Sequence, residues 1–174
     1  MADAPNTGCL PPSQSDRVSA AWQQLHLVLS FFPRVDTKLS VVLGINMGLL
    51  AMLATRIPDV KTITLLIGAL GVSFFAPLTI SFWHIWWGYF PDLRGGTGSL
   101  IFFRAISKMS ESEFRKACAA RSLNDLEGDI FDQCWRNSRI LDAKFVSLRC
   151  AYLATLITLA PWMALIAVVP VPAK

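Results

Sequence analysis

SLNDLEGDIFDQCWRNSRILDAKFVSLRCAYLATLITLAPWMALIAVV, residues 122–169, decides the fold of this chain. In its first half Leu123, Leu126, Ile130, Cys134, Leu141, Phe145 and Leu148 recur at spacings of three, four and seven, the apolar stripe of a helix. Asp125, Asp129, Gln133, Arg136, Asn137 and Lys144 occupy the other faces. After Arg149 the charges stop, and 150–173 is mostly Leu, Ile, Ala, Val and Trp. No proline interrupts before Pro161, so the pattern predicts one helix, roughly 70 Å long at the α-helical rise. Its beginning suits water and its end suits hydrocarbon: a lever rooted in a bilayer.

Working outward, two more charge-free runs appear, 39–55 and 62–91. Each run is near or above the ~17–25 residues that a helix needs to cross the hydrocarbon core. With 53% apolar residues and 16% charged ones in 174 residues, the chain is too apolar for an ordinary soluble domain. The sequence therefore predicts an all-α membrane protein with three transmembrane helices and a cytoplasmic helical module. The last span is continuous with a long cytoplasmic helix. The expected segments are a disordered tail at 1–15 and a single membrane domain at 16–174. Within that domain lie an amphipathic helix at 16–36, spans at 39–57, 62–90 and 150–170, and the helical module at 92–149.

Orientation follows from the cations. Of the 16 Lys and Arg residues, all but Arg56, Lys61 and Lys174 fall before the first span or between the second and third. By the positive-inside rule those segments, with the N-terminus, are cytoplasmic. The formal net charge of +4 is then a matter of topology and does not call for a nucleic-acid partner. The first fifteen residues lack the apolar run of a signal peptide. Cys9, Cys118, Cys134 and Cys150 show neither CxxC nor Cys/His spacing, which argues against zinc and for free thiols.

Local signals fill in the map. Asp16 is placed to cap a helix carrying Val18, Trp22, Leu25, Leu29 and Phe32, which Pro33 breaks or kinks. In the first span Gly44 and Gly48 form a small-xxx-small pair beside Asn46. That pattern suits packing among the three spans or contact with a second copy. The second span contains Pro77 and ends in Trp83, His84, Trp86, Trp87 and Tyr89, an interfacial aromatic belt. Ser110 with Glu113 makes a capping box, and Ser122 or Asn124 caps the long helix.

No catalytic constellation is legible. HExxH, GxSxG and Cys-with-His arrangements are missing from the sequence, the glycines at 95–98 lack the Lys-Ser/Thr ending of a phosphate loop, and no cofactor is implied. Asp125, Asp129 and Asp132 read as a solvated face paired to Arg121 and Arg136. A polar, cationic set stands out near the membrane: Arg34 and Lys38 below the first span, and Gln133, Asn137 and Lys144 on one face of the long helix. Amides with a cation are what a nucleobase edge and a phosphate require. Lipid head groups account for the cations equally well, and Lys144 has a rival role as the ion-pair partner of Asp36.

Three stretches carry a resemblance. They are RVDTKLS at 34–40, SLIFF at 99–103, and QCWRNSRILDAKF at 133–145, in this order relative to the three spans. Over about residues 30–167 the chain resembles the transmembrane effector of the bacterial Pycsar antiphage system. The resemblance implies a multi-pass protein of the bacterial inner membrane, not an enzyme, that responds to a cyclic mononucleotide, cCMP or cUMP. A partner pyrimidine nucleotide cyclase makes the signal, and activation impairs the membrane and causes abortive infection. A homo-oligomer in the bilayer is expected. The rival class is a constitutive small channel or transport-complex subunit without a nucleotide signal.

Overall fold

The computed structural model describes residues 13–56, 63–90 and 98–169. The turn expected at 57–60 and most of the glycine-rich link at 92–98 lie outside them. The elements are α1 (Gln14–Ala54), α2 (Leu65–Tyr89), α3 (Phe103–Ile106), α4 (Glu111–Ala120) and α5 (Leu123–Val168), with no strand among the described residues. Helices α1, α2 and α5 are each long and apolar enough to cross a membrane. The protein is an all-α membrane protein whose last span is the end of a 46-residue helix.

One expected boundary is absent. The amphipathic helix and the first span form a single helix of 41 residues with Pro33 inside it. Proline removes one backbone donor and crowds the preceding turn. A single missing bond does not end a helix whose flanking turns are held by burial on both sides, at Leu25 and Val35. Pro77 and Pro161 are likewise internal to α2 and α5. The start of α1 also differs from expectation, because Ser13 caps it. Ser13 Oγ accepts from Asp16 N–H at 3.2 Å, and the Asp16 carboxylate accepts from Ser13 N–H at 3.1 Å. Asp16 is therefore the reciprocal residue of a capping box.

The chain divides into two compact units, the first comprising 1–29 and 93–138 and the second 30–92 and 139–174. In the first, Val18, Ala21 and Leu25 of α1 pack on Ile130 and Cys134 of α5. Arg17 grips the buried Glu127 carboxylate from two nitrogens, at 3.1 and 2.8 Å. Helix α4 begins with the Ser110–Glu113 capping box, and α5 repeats the device with Ser122 and Asp125.

In the second unit, Val35, Leu39 and Val42 of α1 meet Ile85 of α2 and Ala151 of α5. Further along the spans, Leu49, Phe74, Leu78, Leu165 and Val169 form another apolar layer. Each span contributes buried polar side chains, Asn46 from α1, Ser81 from α2, and Thr155 and Thr158 from α5. Asn46 Nδ2 donates to Ser81 Oγ at 2.8 Å, Thr155 Oγ1 donates to Asn46 Oδ1 at 2.9 Å, and the two hydroxyls lie 2.9 Å apart. Asn46 thus binds within its own bundle. Gly44 and Gly48 have no atom near enough to contact an added Cβ, so among the described residues they meet no neighbouring helix. The close-approach glycine is Gly88, where a Cβ would stand 2.8 Å from Leu39 Cδ1. Arg56 donates to the Ile166 carbonyl at 2.7 Å, placing a cation at the negative end of α5.

Candidate functional site

The polar centre of the first unit is built where α4 gives way to α5. Arg121 is the C-cap of α4 and has extended backbone, which frees its side chain from the helix-surface spacing assumed from sequence. Its expected partner, Asp125, is occupied by the Ser122 cap. Arg121 Nη1 reaches Asp129 instead, at 2.8 Å, and the same carboxylate oxygen accepts the Leu100 N–H at 2.9 Å. Asp129 is buried, contrary to the solvated face expected of it. The physical reason is that one carboxylate satisfies both a guanidinium and an otherwise orphaned backbone donor.

Ser99 is the second anchor. Its Oγ accepts from Ile101 N–H and Phe102 N–H at 3.2 and 3.0 Å, and from Gln133 Nε2 at 3.1 Å. These bonds fold the segment before α3 against α5. Gly98 precedes it with φ of 82°, a conformation that glycine adopts without strain.

Gly98, Ser99, Arg121, Asn124, Gly128 and Arg136 line a polar cleft of about 360 Å³ along with three aspartates. Asp125 and Asp129 are already engaged. Asp132 is exposed and lies 3.9 Å from Arg136 Nη2, a loose ion pair. Arg136 Nη1 is buried and has no hydrogen-bond partner among the described residues. A guanidinium is a five-donor fork, and a buried donor left unmade is costly. An anionic oxygen is the acceptor that fits this gap.

The sequence candidates fall into both units. Gln133 and Asn137 belong to the first. Gln133 is buried and spends its amide on Ser99, while Asn137 Nδ2 donates to the Gln133 carbonyl at 2.8 Å. Arg34, Lys38 and Lys144 belong to the second. Lys144 is buried against Asp36, with Nζ to Oδ1 at 2.6 Å, and lies 6.0 Å from the Phe32 ring centre. Arg34 sits 5.1 Å over Phe31, and Lys38 is exposed. Sequence reasoning missed Ser99 and Arg136. Asp129 carried a signal, its place on the buried side of the Ile130 turn, but was assigned to the surface. No group of three or more His, Cys, Asp or Glu able to hold a metal occurs among the described residues, and Cys118, Cys134 and Cys150 are free thiols.

These features define a class: a small all-α membrane protein with three spans and a separate helical unit that carries a polar, guanidinium-lined cleft. The chain belongs to the Pycsar effector protein domain family, whose model matches residues 20–171. The match includes every candidate residue named above. It identifies an effector of Pycsar antiphage defence, a family that is not known as one of enzymes. Comparison with curated proteins and with solved structures found no match.

Proposed function

We propose that this effector is switched by a cyclic pyrimidine mononucleotide, cCMP or cUMP, supplied by a partner pyrimidine nucleotide cyclase, and that the switched state impairs the bacterial inner membrane and ends the infection by arresting or killing the cell. The observation that carries the reading is the family match over nearly the whole chain. Within the polar unit, Arg136 Nη1 is a buried donor without a partner among the described residues and is available to meet a phosphate, and Gln133 holds the Ser99 wall of the cleft in place. Asn137 orders the next turn of the same helix. In this proposal Gln133 and Asn137 are positioning residues. Of Arg34, Lys38 and Lys144, the cations of the other unit, Lys144 is tested separately.

The energetics set a scale. Moving a two-state protein from mostly closed to mostly open takes about 5.5 kcal/mol of differential affinity. Charge-assisted hydrogen bonds contribute about 1.5–3 kcal/mol each. Two or three of them, or fewer if several protomers switch together, reach that figure. A protomer with three spans is too thin to enclose a water path, so the active form is a homo-oligomer.

Calorimetry of the detergent-solubilised full chain against cCMP, cUMP, cAMP and cGMP tests the proposal. A pyrimidine nucleotide should bind, and Arg136→Met should weaken it by roughly ten- to a hundredfold, the equivalent of one charge-assisted bond. Absence of binding to all four nucleotides sinks the trigger. Unchanged binding in Arg136→Met moves the site away from the cleft, and loss in Lys144→Met then assigns it to the second unit.

A further inference from the structure

At one end of the second unit, α1 and α5 leave a groove of about 410 Å³ between them. Its floor is Val41, Val42, Ile45 and Leu148, its flanks include Phe145 and Tyr152, and its mouth carries Lys38 and Arg149. The two cations have the same place in their helices. Lys38 is the last charge before the uncharged run of α1, and Arg149 is the last before that of α5. Both mark the depth at which hydrocarbon gives way to head groups. The aromatic end of α2 marks it too. Tyr89 hydrogen-bonds Ser40, two residues from Lys38, and Trp83, Trp86 and Trp87 of the same helix end are exposed.

We propose that this groove binds one anionic phospholipid, its phosphate between Lys38 and Arg149 and an acyl chain along the apolar floor. Two kinds of chemistry converge on that ligand. Two exposed cations flanking one mouth suit a phosphate carrying net negative charge, and a zwitterionic lipid satisfies them poorly. Thr37 also lines the groove, but its hydroxyl donates to the Pro33 carbonyl at 2.8 Å, and the apolar floor would be left uncovered by a free phosphate or a nucleotide, whereas an acyl chain covers it. The Tyr152 phenol, half-exposed beside Arg149, has the amphipathic character of an interfacial residue. This inference does not rest on the polar cleft, none of whose residues line the groove, and it shares only Lys38 with the alternative nucleotide site of the second unit.

Native mass spectrometry tests it on the full chain in detergent, stripped of lipid and titrated with phosphatidylglycerol or with phosphatidylcholine of the same acyl chains. The wild type should retain phosphatidylglycerol with a preference on the order of tenfold. Lys38→Ala/Arg149→Ala should hold the two lipids alike. Ile45→Trp fills the floor while keeping both cations, so it should lower retention of both lipids, and it serves as the check if the double variant fails to insert. Lys116→Ala, on α4 of the first unit and not among the groove's lining residues, should keep the wild-type preference. Three results overturn the proposal: equal retention of both lipids by the wild type, a preference that survives in both groove variants, or displacement of phosphatidylglycerol by millimolar inorganic phosphate.

Discussion

Asp36 and Lys144 are unequal partners in their ion pair. The lysine side chain is 10% exposed and the aspartate 43%. Removing the lysine returns a half-exposed carboxylate to solvent, while removing the aspartate strands a buried ammonium. Asp36→Asn should therefore cost about 2–3 kcal/mol, and Lys144→Met below about 1 kcal/mol. Unfolding in mixed micelles measures both, and equal losses would contradict the asymmetry. The Asn46–Ser81–Thr155 triangle makes a second case at this scale. Asn46→Ala should destabilise the bundle by about 1–2 kcal/mol, because interhelical hydrogen bonds in membranes are individually modest. Once Asn46 is gone, the Ser81 and Thr155 hydroxyls both have the Ala151 carbonyl within donating distance, at 3.0 and 2.9 Å, which limits the damage. A double-mutant cycle with Thr155→Val should show positive coupling, and strict additivity would mean that the triangle does not act as a unit.

At the scale of elements, three helices start with the same reciprocal cap: Ser13 with Asp16, Ser110 with Glu113, and Ser122 with Asp125. Helix α4 has only ten residues, too few to persist alone, so its cap matters more than a cap on a long helix would. The Ser110 backbone N–H, and then its hydroxyl, hold the Glu113 carboxyl below its ordinary 4.5. The Ser122 hydroxyl, followed by its backbone N–H, holds Asp125 below 3.8. A carboxyl lowered in the folded state stabilises that state above its unfolded value. The contribution fades as pH falls through the lower folded value. Acidification from pH 5 downward should thus lower the amide protection factors, exchange corrected for its slower intrinsic rate in acid, in the first turns of α4 and α5, beginning at Glu113. Ser110→Ala and Ser122→Ala should exchange faster at neutral pH and lose most of this pH dependence. A pH dependence unchanged in the variants would assign it to other groups.

For the whole molecule, the distribution of cations predicts topology and the uncontacted glycines of α1 test assembly. A reporter fused after residue 174 should read as periplasmic and one at the N-terminus as cytoplasmic, because the cations are shared so unequally between the two sides. A cytoplasmic C-terminus would mean that the chain crosses an even number of times. Gly44→Leu/Gly48→Leu should leave the protomer folded, since nothing described stands near an added side chain at either position. If copies meet through this face, the double variant should shift native mass spectra toward monomer and reduce toxicity without lowering insertion. Intact oligomers in that variant would place the contact on another face.

The sequence by itself determined the spans, the run of α5 through its uncharged end, the α4 cap and the family. All of these depend on local periodicity, the absence of charge over some twenty residues, or short reciprocal hydrogen bonds. Continuity through Pro33 depended on tertiary structure, because burial at Leu25 and Val35 decides whether one missing hydrogen bond ends a helix. So did the partners of the polar residues. Asp125 and Asp129 have the same side chain, yet one caps Ser122 at the surface and the other is buried under Arg121 and Leu100. The α4–α5 corner and the segment after Gly98 decide which is which, and no spacing along one helix encodes them. For the same reason the orphaned donor of Arg136 was invisible in sequence. An unmet hydrogen bond is a property of everything packed around it.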